Sequence, residues 1–295
     1  MDVLDGVRED SLQRPDGRTV AWAEWGRPDG TPLLRVPGTP GSRLAVRADR
    51  TPWEDRGLRV LITERPGFGA STRLPGRGFV EHADDLVAIL DALSIERAHV
   101  IGGSGATPHI MALCERHPGR VASATVVGGI APLDDDELEM MIPLNRDVFR
   151  DARAGDVDRV RERLTLNREE MLRDPIAGIR AVMATAPDAD RAIIGDPLWQ
   201  EAHVVNAREA LRAGVDGWVD EIMATSGSWD EVHPERVDTS ITWWHSDADR
   251  NCPLSGARRL LGRLQNARLH VWTAAGHLEA YRREPEILDE LLGRD

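Results

Sequence analysis

Gly102-Gly103-Ser104-Gly105-Ala106 sets one serine among small residues, directly after an apolar run and directly before a helical pattern. A serine on such a sharp strand-to-helix turn projects its hydroxyl clear of both elements, where it can act as a nucleophile. Small neighbours are needed because the two backbones cross closely there. A serine hydroxyl also needs a base, itself oriented by a third group. Ala274-Ala275-Gly276-His277 offers the base, and Trp244-His245-Ser246-Asp247-Ala248-Asp249-Arg250-Asn251-Cys252-Pro253 offers two acids, each segment following an apolar run. Serine, acid, histidine is one of the chain orders in which such triads occur. Asp247 and Asp249 point in opposite directions on an extended backbone, so only one of them faces His277. Val36-Pro37-Gly38-Thr39-Pro40-Gly41 follows an earlier apolar run. Its use would be to aim the Thr39 N–H at the same point as the Gly105 N–H, forming an oxyanion hole. Taken singly, each segment also reads as a plain turn or a solvated loop, and the glycine-rich turn also as a phosphate loop.

The elements that must position these residues alternate between strand and helix. Two short alternating segments flank Pro15-Asp16-Gly17 and read as a β-hairpin. Residues 33–36, 59–63, 98–101 and 121–127 are short apolar runs of the kind buried in a parallel sheet. Helical patterns over 81–93 and 107–116 separate them. From 134 to 238 the pattern is helical throughout, broken at Pro143, Pro175, Pro187 and Pro197. A strand at 240–244, a helix at 254–264, a strand at 268–272 and a helix at 284–292 restore the alternation. This predicts an α/β fold with a mostly parallel central sheet flanked by helices, its core formed by residues 1–133 and 239–295, with a helical insertion at 134–238.

Composition narrows the function classes. The formal charge of −13 and the absence of lysine, all 37 basic residues being arginine, disfavour nucleic acid and anionic membranes as partners. The start of the chain lacks the basic and apolar regions of a signal peptide, and no apolar run approaches the roughly 20 residues of a membrane span. A cytoplasmic protein, monomeric or homodimeric, is expected. Cys114 and Cys252 are too few for a disulfide framework and lack metal-ligand spacing.

Together, the Pro37-Gly38-Thr39-Pro40-Gly41 loop, Glu64-Arg65-Pro66-Gly67, the serine turn, the acid loop and the histidine loop resemble the α/β-hydrolase superfamily. More narrowly, the chain is similar to bacterial capped serine hydrolases of the esterase and proline iminopeptidase-like branch. The resemblance covers nearly the whole chain. It implies an α/β-hydrolase fold, with Ser104 as nucleophile, Asp249, four residues before Pro253, as the acid, His277 as the base, and the helical insertion as a cap. Three residues depart from the pattern: Pro37 stands where the family usually has His, Glu64 replaces an Asp, and Cys252 replaces a Val. None removes a member of the triad.

The expected activity is hydrolysis of a carboxylic ester, thioester or lactone through an acyl-enzyme, with no metal and no organic cofactor. Met140, Met141, Leu144, Phe149, Trp199 and Trp218 suggest a small-molecule substrate with an apolar portion, although helical spacing makes packing against the core the first use for most of them. Epoxide and haloalkane hydrolysis usually need a carboxylate where Ser104 stands. A C–C bond hydrolase, an aminopeptidase, a biosynthetic cyclase or lyase and a non-catalytic binding module stay open. Among other histidines, His109 reads as a helix-surface residue as readily as a pocket residue, and His245 as structural.

Overall fold

A computed structural model of the chain describes residues 3–294. Eight strands form one sheet: β1 (Arg8–Gln13), β2 (Thr19–Gly26), β3 (Thr31–Val36), β4 (Leu58–Thr63), β5 (Ala98–Gly103), β6 (Val121–Val127), β7 (Ile241–Ser246) and β8 (Ala267–Trp272). Their spatial order is β1-β2-β4-β3-β5-β6-β7-β8. The hairpin pairs β1 with β2, and β2 runs antiparallel to β4. Every other pair is parallel. The turn expected at Pro15-Asp16-Gly17 closes on the Arg14 N–H to Arg18 carbonyl bond of 2.8 Å.

The central strands read as apolar runs because both faces of the sheet are covered. On one face α2 (Val80–Ala92), α3 (Thr107–Arg116) and a C-terminal helix at Leu254–Leu261 pack on Leu34, Val36, Val100 and Val126. On the other, α1 (Thr51–Glu54) and a last helix at Glu284–Leu291 pack on Leu33, Val60 and Ile62. The short α1 is absent from the sequence reading, since four residues carry no periodicity; fully buried Trp53 anchors it.

Between β6 and β7 the chain forms only helices: α4 (Asp135–Met140), α5 (Pro143–Arg153), α6 (Val157–Arg173), α7 (Pro175–Val182), α8 (Asp188–Ile194), α9 (Pro197–Ala210), α10 (Asp216–Thr225) and a 3-10 turn at Pro234–Arg236. The Leu254–Leu261 and Glu284–Leu291 helices are then α11 and α12. Each proline that breaks the pattern starts a helix: Pro143, Pro175 and Pro197 occupy first-turn positions and Pro187 precedes α8. Asp134 opens α4 with a reciprocal capping box to Glu137. Val148, Phe149, Leu164, Trp218 and Ile222 of these helices join the apolar cluster of α2 and α3, so insertion and sheet share one core. At Gly217, α10 touches the loop after β4 backbone to backbone: a Cβ there would lie 2.2 Å from the Gly67 carbonyl oxygen. Among the described residues, no helix is long and apolar enough to cross a membrane.

Candidate active site

The strand order reverses at β3, with β4 on one side and β5 on the other, and a parallel sheet opens a crevice at the C-terminal ends of its strands at such a point. Pairing of Val36 with Gly102 sets the loop after β3 beside the serine turn after β5. Ser104 has a φ of 54°, a left-handed conformation that costs a non-glycine residue strain and is held by its surroundings. Its N–H donates to the Gly128 carbonyl at 3.1 Å and its carbonyl accepts from Ile130 N–H at 3.2 Å and from Thr107 Oγ1 at 2.8 Å. The need for small neighbours is literal: a Cβ on Gly103 would sit 2.2 Å from the Val127 carbonyl oxygen, and one on Gly105 2.2 Å from Thr39 Oγ1.

His277, in the loop after β8, directs Nδ1 at Asp249 Oδ2 over 2.8 Å. The other Asp249 oxygen accepts the N–H groups of Asn251 at 2.8 Å and Cys252 at 2.9 Å. Burial opposes ionisation of Asp249, but the neighbouring His277 and these bonds outweigh it and hold its pKa below the usual value. Burial likewise works against the His277 imidazolium, and Asp249, then Asp190, overcome it, so the His277 pKa is raised. Asp247 faces away and accepts the Ala274 N–H at 2.9 Å on the exposed side of the loop.

Ser104 and His277 line one cavity of about 210 Å³. They make no hydrogen bond to one another; Ser104 Oγ instead lies 3.9 Å from Cys252 Sγ. Catalytic contacts of this kind are often long without substrate and tighten in the complex. The Cys252 thiol is buried, and burial followed by the Asp249 charge pushes its pKa well up, which keeps it protonated and unreactive. A second, narrower cavity of about 50 Å³ begins at Ser104, Gly105 and Thr39 and is walled by Met141, Leu144, Phe149 and Trp218 of the insertion. Trp199 lines the first cavity instead, and Met140 lines neither, being 52% exposed.

His109 is not a surface residue. It is 0% exposed, its ring packed edge-on against Phe79 and His82 at the start of α2. Its Nε2 bonds Glu221 Oε1 of α10 over 3.1 Å. Glu221 also pairs with Arg65 and Arg77 and accepts from Thr39 Oγ1 at 3.2 Å, so an acid of the insertion grips the β3 loop beside Ser104. Burial, above all, keeps both His109, at about 4, and neighbouring His82, well down, uncharged. The departures from the family pattern are absorbed: Glu64 lines neither cavity and instead accepts from Arg43, Ala70 and Ser71 N–H groups, while the Pro37 and Gly38 carbonyls accept from Arg65. His245 is structural, tied to the Cys252 carbonyl at 2.8 Å and to Trp243 Nε1 at 3.0 Å.

Two site residues escaped the sequence reading. Asp190 of α8 accepts the N–H groups of His277 at 3.0 Å and Leu278 at 2.8 Å, and Glu221 has the role just described. Both lie in the helical insertion, among many other acids that look alike in sequence. Their one distinction is burial, which only packing reveals.

Residues 31–175 match the family model of the alpha/beta hydrolase fold. Among curated proteins, the chain is 26% identical over 252 residues to the 2-hydroxy-6-oxo-2,4-heptadienoate hydrolase of Pseudomonas putida, covering 84% of this chain and 83% of that one. It is 31% identical to a non-heme chloroperoxidase of Streptomyces lividans over 122 residues, 40% of this chain and 44% of the other. Among solved structures it resembles Est816, described as an N-acyl homoserine lactone degrading enzyme, with a TM-score of 0.66, 20% identity and coverage of 96% and 99% of the two chains. The chain has the α/β-hydrolase fold and is similar to members of the α/β-hydrolase superfamily. Its site and its relatives together put it with the hydrolytic enzymes of that fold.

Proposed function

We propose that the protein is a serine hydrolase that cleaves a carboxylic ester, thioester or lactone through an acyl-enzyme on Ser104. The observation that carries this reading is the strained Ser104 facing the same cavity as a histidine whose Nδ1 is fixed by a buried carboxylate over 2.8 Å. His277 takes the Ser104 proton as the hydroxyl attacks the acyl carbon, and Asp249 holds the imidazole tautomer and stabilises the imidazolium. The N–H groups of Thr39 and Gly105 receive the oxyanion, His277 returns the proton to the leaving oxygen or sulfur, and water releases the acyl group. Residues 134–238 act as the cap, and their Met141, Leu144, Phe149 and Trp218 take an apolar portion of a small-molecule substrate.

C–C bond hydrolysis is the second reading, favoured by the match to a dienoate hydrolase over 84% of the chain. An aminopeptidase is disfavoured. The carboxylates lining the two Ser104 cavities, Glu221 and Glu284, are already held by Arg65, Arg77 and Arg47, which leaves neither for a substrate amine. The test is labelling by a fluorophosphonate together with turnover of p-nitrophenyl esters, lactones, vinylogous diketones and aminoacyl anilides. Labelling and ester or lactone turnover, both lost in Ser104→Ala, are expected. Labelling that persists in Ser104→Ala refutes the nucleophile, and turnover of the diketones alone moves the assignment to the second reading.

A further inference from the structure

The larger cavity at Ser104 ends on a cation that the protein leaves unpaired. Arg35 interrupts the apolar run of β3 and lies in register with Ile101 of β5, three residues before Ser104. At the rise of a strand that is about 10 Å from the serine. Its surroundings are apolar: Leu33, Trp53, Ile101 and Ile287 form the cluster on this face. Arg35 Nη1 is buried without a hydrogen-bond partner, and among the described residues no carboxylate lies within ion-pair distance of the guanidinium. The neighbouring Arg47 differs. It pairs with one oxygen of Glu284, while the other oxygen accepts Trp53 Nε1 at 2.8 Å, so both Glu284 oxygens are turned to partners other than Arg35.

The Arg35 side chain is partly buried, and a buried guanidinium nitrogen without a partner is costly, so a residue that merely filled this position would be aliphatic. Burial, with Arg47 close by, draws the Arg35 pKa down to about 9, which still leaves it charged at neutral pH. Pro37, where a histidine is usual in the family, lines the same cavity with a side chain that carries no donor or charge of its own. The space of about 210 Å³ is continuous with Ser104 and His277 and is roomy enough for a short carbon chain ending in a planar anion.

We propose that this cavity binds a carboxylate of the substrate, with Arg35 as its partner, so that the substrate is an acid carrying the scissile bond a few carbon atoms from its carboxylate. The apolar arm of the same molecule then lies in the narrower cavity against the insertion. A planar two-oxygen anion matches the fork of one guanidinium, and such charge-assisted pairs are the strong ones. The inference rests on the acyl-enzyme reading of Ser104 for its orientation and is tested apart from it.

The first measurement uses Ser104→Ala and ligand-observed NMR with hexanoate and hexanamide, which differ only in charge at the polar end. Hexanoate is expected to bind at least tenfold more tightly, and the additional Arg35→Met change is expected to erase the difference. Hexanoate no tighter than hexanamide overturns the proposal whatever the Arg35 variant does. The second compares mono-p-nitrophenyl adipate with p-nitrophenyl hexanoate. Native enzyme is expected to favour the anionic ester in kcat/KM, and Arg35→Met to lose that preference tenfold or more through KM. Equal loss on both esters assigns Arg35 a structural part and overturns the proposal. If neither ester turns over and no fluorophosphonate adduct forms, the hydrolase reading fails, and the binding measurement still decides the anion site.

Discussion

Replacing Glu221 with glutamine keeps the shape of a fully buried side chain and removes the one negative charge that two buried arginines share. Arg65 and Arg77 are 1% and 4% exposed, and Glu221 is 0% exposed. Arg65 retains other acceptors, the Pro37 and Gly38 carbonyls and Thr39 Oγ1 at 2.9 Å. Arg77 keeps only the Pro66 and Gly78 carbonyls, each at 3.4 Å, the far limit of a hydrogen bond. Removing one partner of a buried ion pair costs about 3–5 kcal/mol, because it leaves an uncompensated charge. The better-satisfied Arg65 puts the expectation for Glu221→Gln at the lower end, about 3 kcal/mol. Urea unfolding followed by tryptophan fluorescence measures it, with the loss read from the midpoint at constant slope. Arg77→Met in the Glu221→Gln background should recover part of the loss, giving a coupling of about 1–3 kcal/mol in a double-mutant cycle. A loss below about 1 kcal/mol, or additive single effects, refutes the argument that Glu221 is held by charge.

Three further outcomes are expected. Asp249→Asn should lower kcat about 10⁴-fold through the wrong histidine tautomer, whereas Asp247→Asn, whose amide oxygen can still accept the Ala274 N–H, should change it little; steady-state kinetics on one ester separates them. Because the His277 pKa is raised and the base works only when neutral, activity should rise with pH through a value above 6.5, and Asp190→Asn, which removes a nearby negative charge, should move that limb of the kcat/KM profile to lower pH. An unmoved limb would show that Asp190 acts only as a backbone acceptor. Gly217→Ala should cost about 1–3 kcal/mol in urea unfolding, since its Cβ would meet the Gly67 carbonyl oxygen at 2.2 Å, while Gly119→Ala, with no atom within 4 Å of the new Cβ, should be close to neutral. Equal effects at the two glycines would refute the close seating of α10.

What was legible in the sequence was local. The Ser104 turn could be read because strand, small residues and helix are contiguous, and the β-strands because burial on both faces demands unbroken apolar runs. The prolines that interrupt the insertion mark helix starts for the same reason, since proline fixes its own backbone and that of its neighbour. Ser104, Asp249, His277, Thr39 and Gly105 come to one end of the sheet because each follows a strand whose C-terminal end points there, so their proximity follows from the alternation once the strand order is known. The resemblance chose Asp249 over Asp247, and the geometry shows Asp249 facing His277.

The rest depended on pairs far apart in the chain. His109 and Glu221 are 112 residues apart, and nothing local says that an acid of α10 will reach a histidine of α3, so the histidine reads as a surface residue as readily as a buried one. Asp190 is 87 residues from His277 and becomes part of the site only because α8 is folded over the histidine loop. Arg35 lies between: it interrupts an apolar strand in the sequence, but that both Glu284 oxygens turn to Arg47 and Trp53 and Arg35 Nη1 is left without a partner follows only from the packing. Sequence periodicity reports which face of an element is apolar; the tertiary structure decides which polar groups are stranded away from water, and those are the groups that must find a partner or a ligand.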